Sequence, residues 1–208
     1  MGLKIGVLAL QGAFQEHIEA CKLAAEKLGA DLEVFEIRMQ QDLNGIDGLI
    51  IPGGESTVMR RLLARSGLLH DLKRAKSDGL HIMGTCAGLI CLADEIVSGR
   101  TPEEASIIGG LSVKISRNAY GTQLDSFKTS GLQTEPSTGL DGLQEAIFIR
   151  APEIKDWNRE KVKVLAWLGP NTPVAVSQGN LLGLAFHPEL CKSNLSWHKY
   201  FLQSIINK

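Results

Sequence analysis

The sequence predicts an α/β protein: a doubly wound, mostly parallel sheet flanked by helices, with a small additional region of antiparallel strands. Three observations carry that prediction. Residues 3–10 are a nearly continuous apolar run, as expected of a strand buried on both faces in a parallel sheet. Strand and helix patterns then alternate as β-α-β-α-β through residue 85, an order that calls for right-handed crossovers. From Ser98 onward the texture changes, with more Gly, Ser, Thr and Pro and short strand-like runs on long connections.

In chain order, helix is expected over residues 13–28, with Ile18, Cys21, Ala25 and Leu28 on one face and Gly29 as its stop. Residues 32–37 alternate as a second strand and residues 46–51 form a third, which Pro52-Gly53-Gly54 breaks. Helical pattern resumes over 57–64 and 69–76, and the apolar residues 80–83 run into Gly84-Thr85-Cys86-Ala87-Gly88. Later strands are expected at 111–115, 146–149, 162–167, 174–178 and 181–186, with a hairpin about Gln178-Gly179-Asn180. An amphipathic helix over 195–206 closes the chain, with Ser193 placed as its N-cap. No linker, repeat or low-complexity tract interrupts this order, so one domain over residues 1–208 is expected.

Composition narrows the function. A net charge of -1 with no basic stripe offers nothing to recruit nucleic acid or an anionic membrane. The apolar runs fall far short of the roughly 20 residues that span a bilayer. Lys4 leads directly into strand pattern, and Gly6 stands where a myristoylation signal needs Ser or Thr, so a cytoplasmic location is expected. The four cysteines form no C-x-x-C pair, which argues against a zinc knuckle or a dithiol site, and no metal is expected. Cys21, Cys91 and Cys191 read as small core hydrophobes. His17, His70, His81 and His198 read as surface or core residues.

Cys86 differs from the other cysteines. A cysteine between small residues, after a strand and before a helix, is the pattern of an elbow that lifts a nucleophile to the end of a sheet. A buried thiol beside glycines that allow close helix–strand packing is the plainer alternative. His187-Pro188-Glu189, following the last core strand, supplies a base and a carboxylate to orient it. In an extended segment, residues two apart point the same way. Gly53-Gly54-Glu55-Ser56-Thr57 is neither a phosphate-binding loop of the Walker type nor a dinucleotide fingerprint, so no cofactor is expected. Its glycines free backbone N–H groups for an oxyanion, with Gly54 one donor and Ala87, just after the nucleophile, the other. Arg117 and Arg150 each sit beside strand-like sequence, and a guanidinium there suits capture of a substrate carboxylate.

Together these motifs resemble the class I, triad-type glutamine amidotransferases of flavodoxin-like fold, and among them the glutaminase-subunit family of pyridoxal 5'-phosphate synthase. The resemblance runs from Ile5-Gly6-Val7-Leu8-Ala9-Leu10-Gln11-Gly12 to Tyr200-Phe201-Leu202 and includes Phe148-Ile149-Arg150-Ala151-Pro152. It implies that Cys86 attacks the carboxamide of L-glutamine, that His187 serves as base and then acid, and that Glu189 orients His187. It also implies that Gly54, Glu55, Ser56, Arg117, Ile149 and Arg150 bind glutamine. Ammonia would pass through an internal channel to a separate barrel-shaped synthase subunit, in a complex of twelve plus twelve that also activates the glutaminase. Tyr120 and Thr122 depart from that family, which usually has phenylalanine and arginine there. The alternative is the glutaminase subunit of another amidotransferase, such as imidazole glycerol phosphate synthase, which shares the triad; the block around Arg150 argues against it.

Overall fold

The computed structural model describes residues 2–97, 107–117, 126–140, 144–191 and 193–207. Expectations that fall on residues 99–106 and 118–125, among them those for Tyr120 and Thr122, lie outside these.

The first half of the chain follows the alternation read from the sequence: β1 (Leu3–Leu8), α1 (Phe14–Leu28), β2 (Leu32–Ile37), β3 (Gly48–Ile51), α2 (Ser56–Ser66), α3 (Leu68–Ser77), β4 (His81–Thr85) and α4 (Ala87–Leu92). Gly29 ends α1 in the left-handed conformation (φ 64°), where its N–H and that of Ala30 satisfy carbonyls of the last turn. The second half is strand-rich: β5 (Ala93–Ile96), β6 (Leu111–Ser116), β7 (Phe127–Thr134), β8 (Gln144–Phe148), β9 (Glu153–Trp157), β10 (Lys163–Gly169), β11 (Thr172–Gln178), β12 (Leu181–Leu184) and finally α5 (Ser196–Ile206).

Among the described residues nine strands form one sheet in the order β2-β1-β3-β4-β12-β11-β10-β7-β8. The pairs from β2 to β12 are parallel, and those from β12 to β8 are antiparallel. The turn at 178–180 makes the expected hairpin, with Gln178 opposite Leu181. The antiparallel region is larger than the sequence suggests, because a second sheet, β5-β6-β9, packs through β6 and β9 against β11. The strands β5, β7 and β9 escape the sequence reading for physical reasons. β5 carries Asp94 and Glu95, and β7 is polar and irregular between Thr129 and Leu132. β9 holds alternating charged residues on an exposed face. None has the apolar run that marks a two-face-buried strand.

The core strands β3 and β12 are buried at every position. On one side of the sheet α1 packs on β1 and β2 and α5 packs on α1, with Phe201 and Ile205 of α5 against Gly48 of β3 and Trp197, Phe201 and Leu202 enclosed. The N-cap expected at Ser193 is instead Leu195, and the Asn194 side chain accepts from the Ser196 N–H (3.0 Å) to cap the helix two residues later than expected. Strand β1 ends at Leu8 rather than Leu10, because the chain turns out of the sheet to carry Gln11 toward the loop after β3. Strand β12 likewise ends at Leu184: Ala185 donates to Val174, and His187 donates to the Ile147 carbonyl (2.8 Å), which carries the chain across to β8.

The small helix α4 is wholly buried against β3 and β4. A Cβ at Gly88 would overlap the Ile51 carbonyl, and one at Gly84 would come within 2.6 Å of the Gly88 backbone. The packing role of these glycines is therefore real, and it coexists with the elbow. Gly88→Ala is expected to destabilise the fold by roughly 1–3 kcal/mol through overpacking. Gly169→Ala, where a Cβ meets nothing within 4 Å, is expected to stay within about 0.5 kcal/mol of the parent. Urea unfolding of both variants measures the difference.

Candidate active site

Parallel strands leave their carboxyl ends on one edge, the place where open α/β sheets bind ligands. At that edge the chain leaves β1 at Gln11, β3 at Gly53-Gly54, β4 at Cys86 and β12 shortly before His187.

Cys86 sits in the elbow between β4 and α4 with φ 47° and ψ −101°. Among the described residues only Cys86 and Arg150 (φ 43°) combine a side chain with positive φ. Such conformations cost on the order of 1–3 kcal/mol each and cluster at functional sites. The strain is held by the sheet, since the Cys86 N–H donates to Leu184 (2.8 Å) and its carbonyl accepts from Ile90. The thiol is 6 % exposed, and its sulfur lies 3.9 Å from the Ile149 carbonyl.

His187 hydrogen-bonds Cys86 on one side and, through Nδ1, Glu189 Oε1 on the other at 2.7 Å. The backbone that brings His187 and Glu189 together is not extended as the sequence reading supposed. Pro188–Leu190 is a 3-10 turn, and the contact is made across it because Pro188 suits the first position of such a turn. Gly53 runs flat against the pair; a Cβ there would overlap His187 Cε1 and lie 3.4 Å from the Cys86 Cβ. Any side chain at position 53 would part Cys86 from His187.

Burial alone would lower the pKa of His187, but its hydrogen bonds to Cys86 and Glu189 outweigh this and raise it to about 10. Burial would raise Glu189, yet His17 and the His187 N–H hold it down at about 2. The site therefore keeps an imidazolium facing a carboxylate. His17 and His198, both fully buried, are pushed below the ordinary value, His198 to about 3, by burial first. Of these three histidines, only the one beside the thiol carries the imidazolium charge at neutral pH.

A cavity of about 230 Å³ opens in front of the pair. That is smaller than the roughly 300 Å³ at which drug-sized pockets begin, and it suits an amino-acid-sized ligand. Gly54, Glu55, Ser56, Arg117, Ile149 and Arg150, the six positions picked out for binding, all line it with Cys86 and His187. Glu189 stands behind His187, outside the cavity. Ala87 is the first residue of α4, where an N–H has no partner within the helix. The Glu55 carboxylate accepts from the Thr57 N–H as the cap of α2, and Arg117 donates to Thr57 Oγ1 (3.2 Å). Cys191, buried with its sulfur near the Glu145 and His187 carbonyls, has its thiol pushed up to about 12, and Cys21 and Cys91 likewise; all three are packing residues.

Sequence reasoning missed Gln11 and Ile90, which also line the cavity. Gln11 Oε1 accepts from the Glu55 N–H (2.9 Å), so the first loop pins the third. The interruption of an apolar strand by Gln11-Gly12 at a carboxyl end was a readable signal. Sequence reasoning also missed His17, whose Nε2 lies 3.3 Å from Glu189 Oε2. Nothing near His17 in the chain announces that contact.

The family model described as the SNO glutamine amidotransferase family matches residues 7–207. The subunit PdxT of pyridoxal 5'-phosphate synthase from Pyrococcus furiosus is 48% identical over 98% of this chain and 100% of its own. Its namesake from Corynebacterium jeikeium is 42% identical over 97% and 96%. A solved glutamine amidotransferase superposes with a TM-score of 0.82 at 41% identity, covering 97% of this chain and 98% of that one. The PurLQS structure from Thermotoga maritima, at 18% identity and a TM-score of 0.63, shares the fold.

The charge state has a consequence for stability. A histidine raised to about 10 contributes stability that is complete below about 6.5 and lost as pH climbs through about 10; a glutamate lowered to about 2 contributes above about 4.5 and loses it as pH falls through about 2. Glu189→Gln, which strands a buried imidazolium, is expected to cost about 3–5 kcal/mol near pH 6. The deficit is expected to shrink as pH approaches 10. Thermal unfolding of parent and variant at both pH values measures it.

Proposed function

The chain belongs to the SNO glutamine amidotransferase family and is the glutaminase subunit of pyridoxal 5'-phosphate synthase, and we propose that Cys86, His187 and Glu189 are the groups that carry its reaction. Residues 1–208 act as one glutaminase domain. The reading is supported above all by the convergence of Cys86, His187 and the six expected binding positions on one amino-acid-sized cavity, with Glu189 directly behind the histidine.

L-Glutamine enters with its α-carboxylate toward the guanidinium groups of Arg117 and Arg150 and its carboxamide toward Cys86. His187 holds the proton released from Cys86 as the sulfur adds to the carboxamide carbon. The backbone N–H groups of Gly54 and Ala87 receive the oxyanion, each donor worth about 3–4 kcal/mol in the transition state. His187 gives its proton to the amide nitrogen, ammonia leaves, and a glutamyl thioester remains on Cys86. Water then attacks the thioester while His187 takes its proton; the thiolate departs, glutamate is released and the ion pair is restored. Glu189 stays ionised throughout and keeps the imidazole in its working tautomer. The raised pKa of His187 suits it to hold the Cys86 proton as base and then to give it up as acid.

Ammonia is passed to the barrel-shaped synthase subunit, which builds pyridoxal 5'-phosphate, in an assembly of twelve plus twelve. A cytoplasmic location fits this chemistry, and no helix among the described residues is long and apolar enough to cross a membrane. Docking favours the conformation of the Gly53-Gly54 loop that turns the Gly54 N–H toward the oxyanion, so glutamine is not spent without an acceptor. Glutamate release from L-glutamine is expected to rise when the synthase subunit is added and to vanish in Cys86→Ala. Release that ignores the synthase subunit would point to another acceptor, and release that survives in Cys86→Ala would remove the nucleophile from the scheme.

A further inference from the structure

Glu189 has two carboxylate oxygens, and the reaction as written uses one. Oε1 accepts from His187 Nδ1. Oε2 is buried without a hydrogen bond of ordinary geometry, and the group that faces it is His17 Nε2, 3.3 Å away. That same nitrogen is 3.1 Å from Thr85 Oγ1, on the residue preceding the nucleophile. On the other edge of the ring, His17 Nδ1 is 3.0 Å from His198 Nε2 of α5. Both imidazoles are completely buried. Three elements distant in sequence thus meet behind the Cys86–His187 pair.

The hydrogen positions follow from the partners. An ionised carboxylate oxygen offers only lone pairs, so a lone pair on His17 Nε2 facing it at 3.3 Å in a buried site would be repulsive. The proton therefore sits on Nε2, where it donates to Thr85 Oγ1 and faces the otherwise unpartnered Glu189 Oε2. His17 Nδ1 is then an acceptor, and His198 Nε2 must be the donor. The result is a directed chain of N–H groups, from α5 through α1 to the carboxylate. Glu189, His187 and Glu16 act on His17 through their charge, and His198 and Thr85 contact its ring. A cation at His17 would compete with His187 for Glu189, whereas an uncharged donor orients the carboxylate and leaves its charge to His187.

We propose that His17 is a positioning residue for the reaction: oriented by His198 and Thr85, it sets the positive edge of its Nε2–H beside Glu189 Oε2 and so holds the carboxylate at the angle that keeps His187 against Cys86. It acts through Glu189 and touches neither glutamine nor the sulfur. The activity readout of this proposal rests on the glutaminase reading above.

The test uses the full chain with the synthase subunit present. His17→Phe, which keeps a ring and removes the donor, is expected to lower kcat for glutamine hydrolysis by roughly 10- to 100-fold. KM is expected to stay within about 2-fold, because ground-state binding of glutamine is untouched. His17→Gln, whose amide nitrogen reaches the Nε2 position, is expected to restore most of the rate. In a Glu189→Gln background, adding His17→Phe is expected to change little more, since the two act as one unit. A kcat within about 2-fold of the parent overturns the proposal. So does a loss that His17→Gln does not relieve, or one that recurs in full on Glu189→Gln, the pattern of a purely structural role. Should His17→Phe fail to fold by circular dichroism, His17→Asn, whose amide ends short of Nε2, is read in its place by the same criteria. If the parent itself releases no glutamate, the glutaminase reading fails and His17 is judged by iodoacetamide alkylation of Cys86, which needs no glutamine. Slowed alkylation in His17→Phe and recovery in His17→Gln then support the proposal, and unchanged rates overturn it.

Discussion

The 2.7 Å contact between His187 Nδ1 and Glu189 Oε1 is the interaction on which the site depends. Both groups are nearly excluded from water, and burial opposes each charge separately. The pair persists because each charge is the other's solvent, and because the imidazolium has the sulfur of Cys86 on its far side. Its surroundings are accordingly specific. Neighbouring histidines must be uncharged, the backbone of the following turn must close tightly at Pro188, and water must stay out.

Close approach is the second constraint, and it is met by leaving atoms out. Gly53 lies against His187, and Gly84 and Gly88 let α4 rest directly on β3 and β4. The elbow residue Cys86 adopts a backbone conformation that side chains avoid, and Arg150 across the cavity does the same. Backbone strain of this kind survives only where the surrounding sheet holds it, and here Cys86 is tied to β12 and Arg150 follows the buried end of β8. The scaffold that supplies this rigidity is the parallel half of the sheet, whose central strands are buried on both faces.

The antiparallel half does a different job. The His187 N–H is bonded to Ile147 of β8, so His187 is positioned from both halves at once. Ile149 and Arg150 reach the cavity from the end of that same strand, and Arg117 reaches it from the end of β6. The cavity is thus assembled where a parallel sheet meets an antiparallel extension, with Cys86 on one side and Arg117 and Arg150 on the other.

Much of this was legible in the chain. The alternation of strands and helices, the elbow at Cys86, the histidine and carboxylate at 187 and 189, and the six cavity positions could all be read from local pattern or from resemblance, because each is a short run with its own chemistry. What could not be read were β5, β7 and β9, whose polar residues are stabilised by pairing partners rather than by an apolar face, and the residues that act only through space. Gln11 left a faint local sign in a broken strand. His17 and His198 left none: they are 181 residues apart, and only the packing of α1 against α5 brings them together behind Glu189. The sequence by itself determined which chemical groups meet at the site, since thiol, imidazole and carboxylate are side-chain identities. The tertiary structure decided their charge states and the orientation of the carboxylate, because those depend on burial and on neighbours that no local pattern encodes.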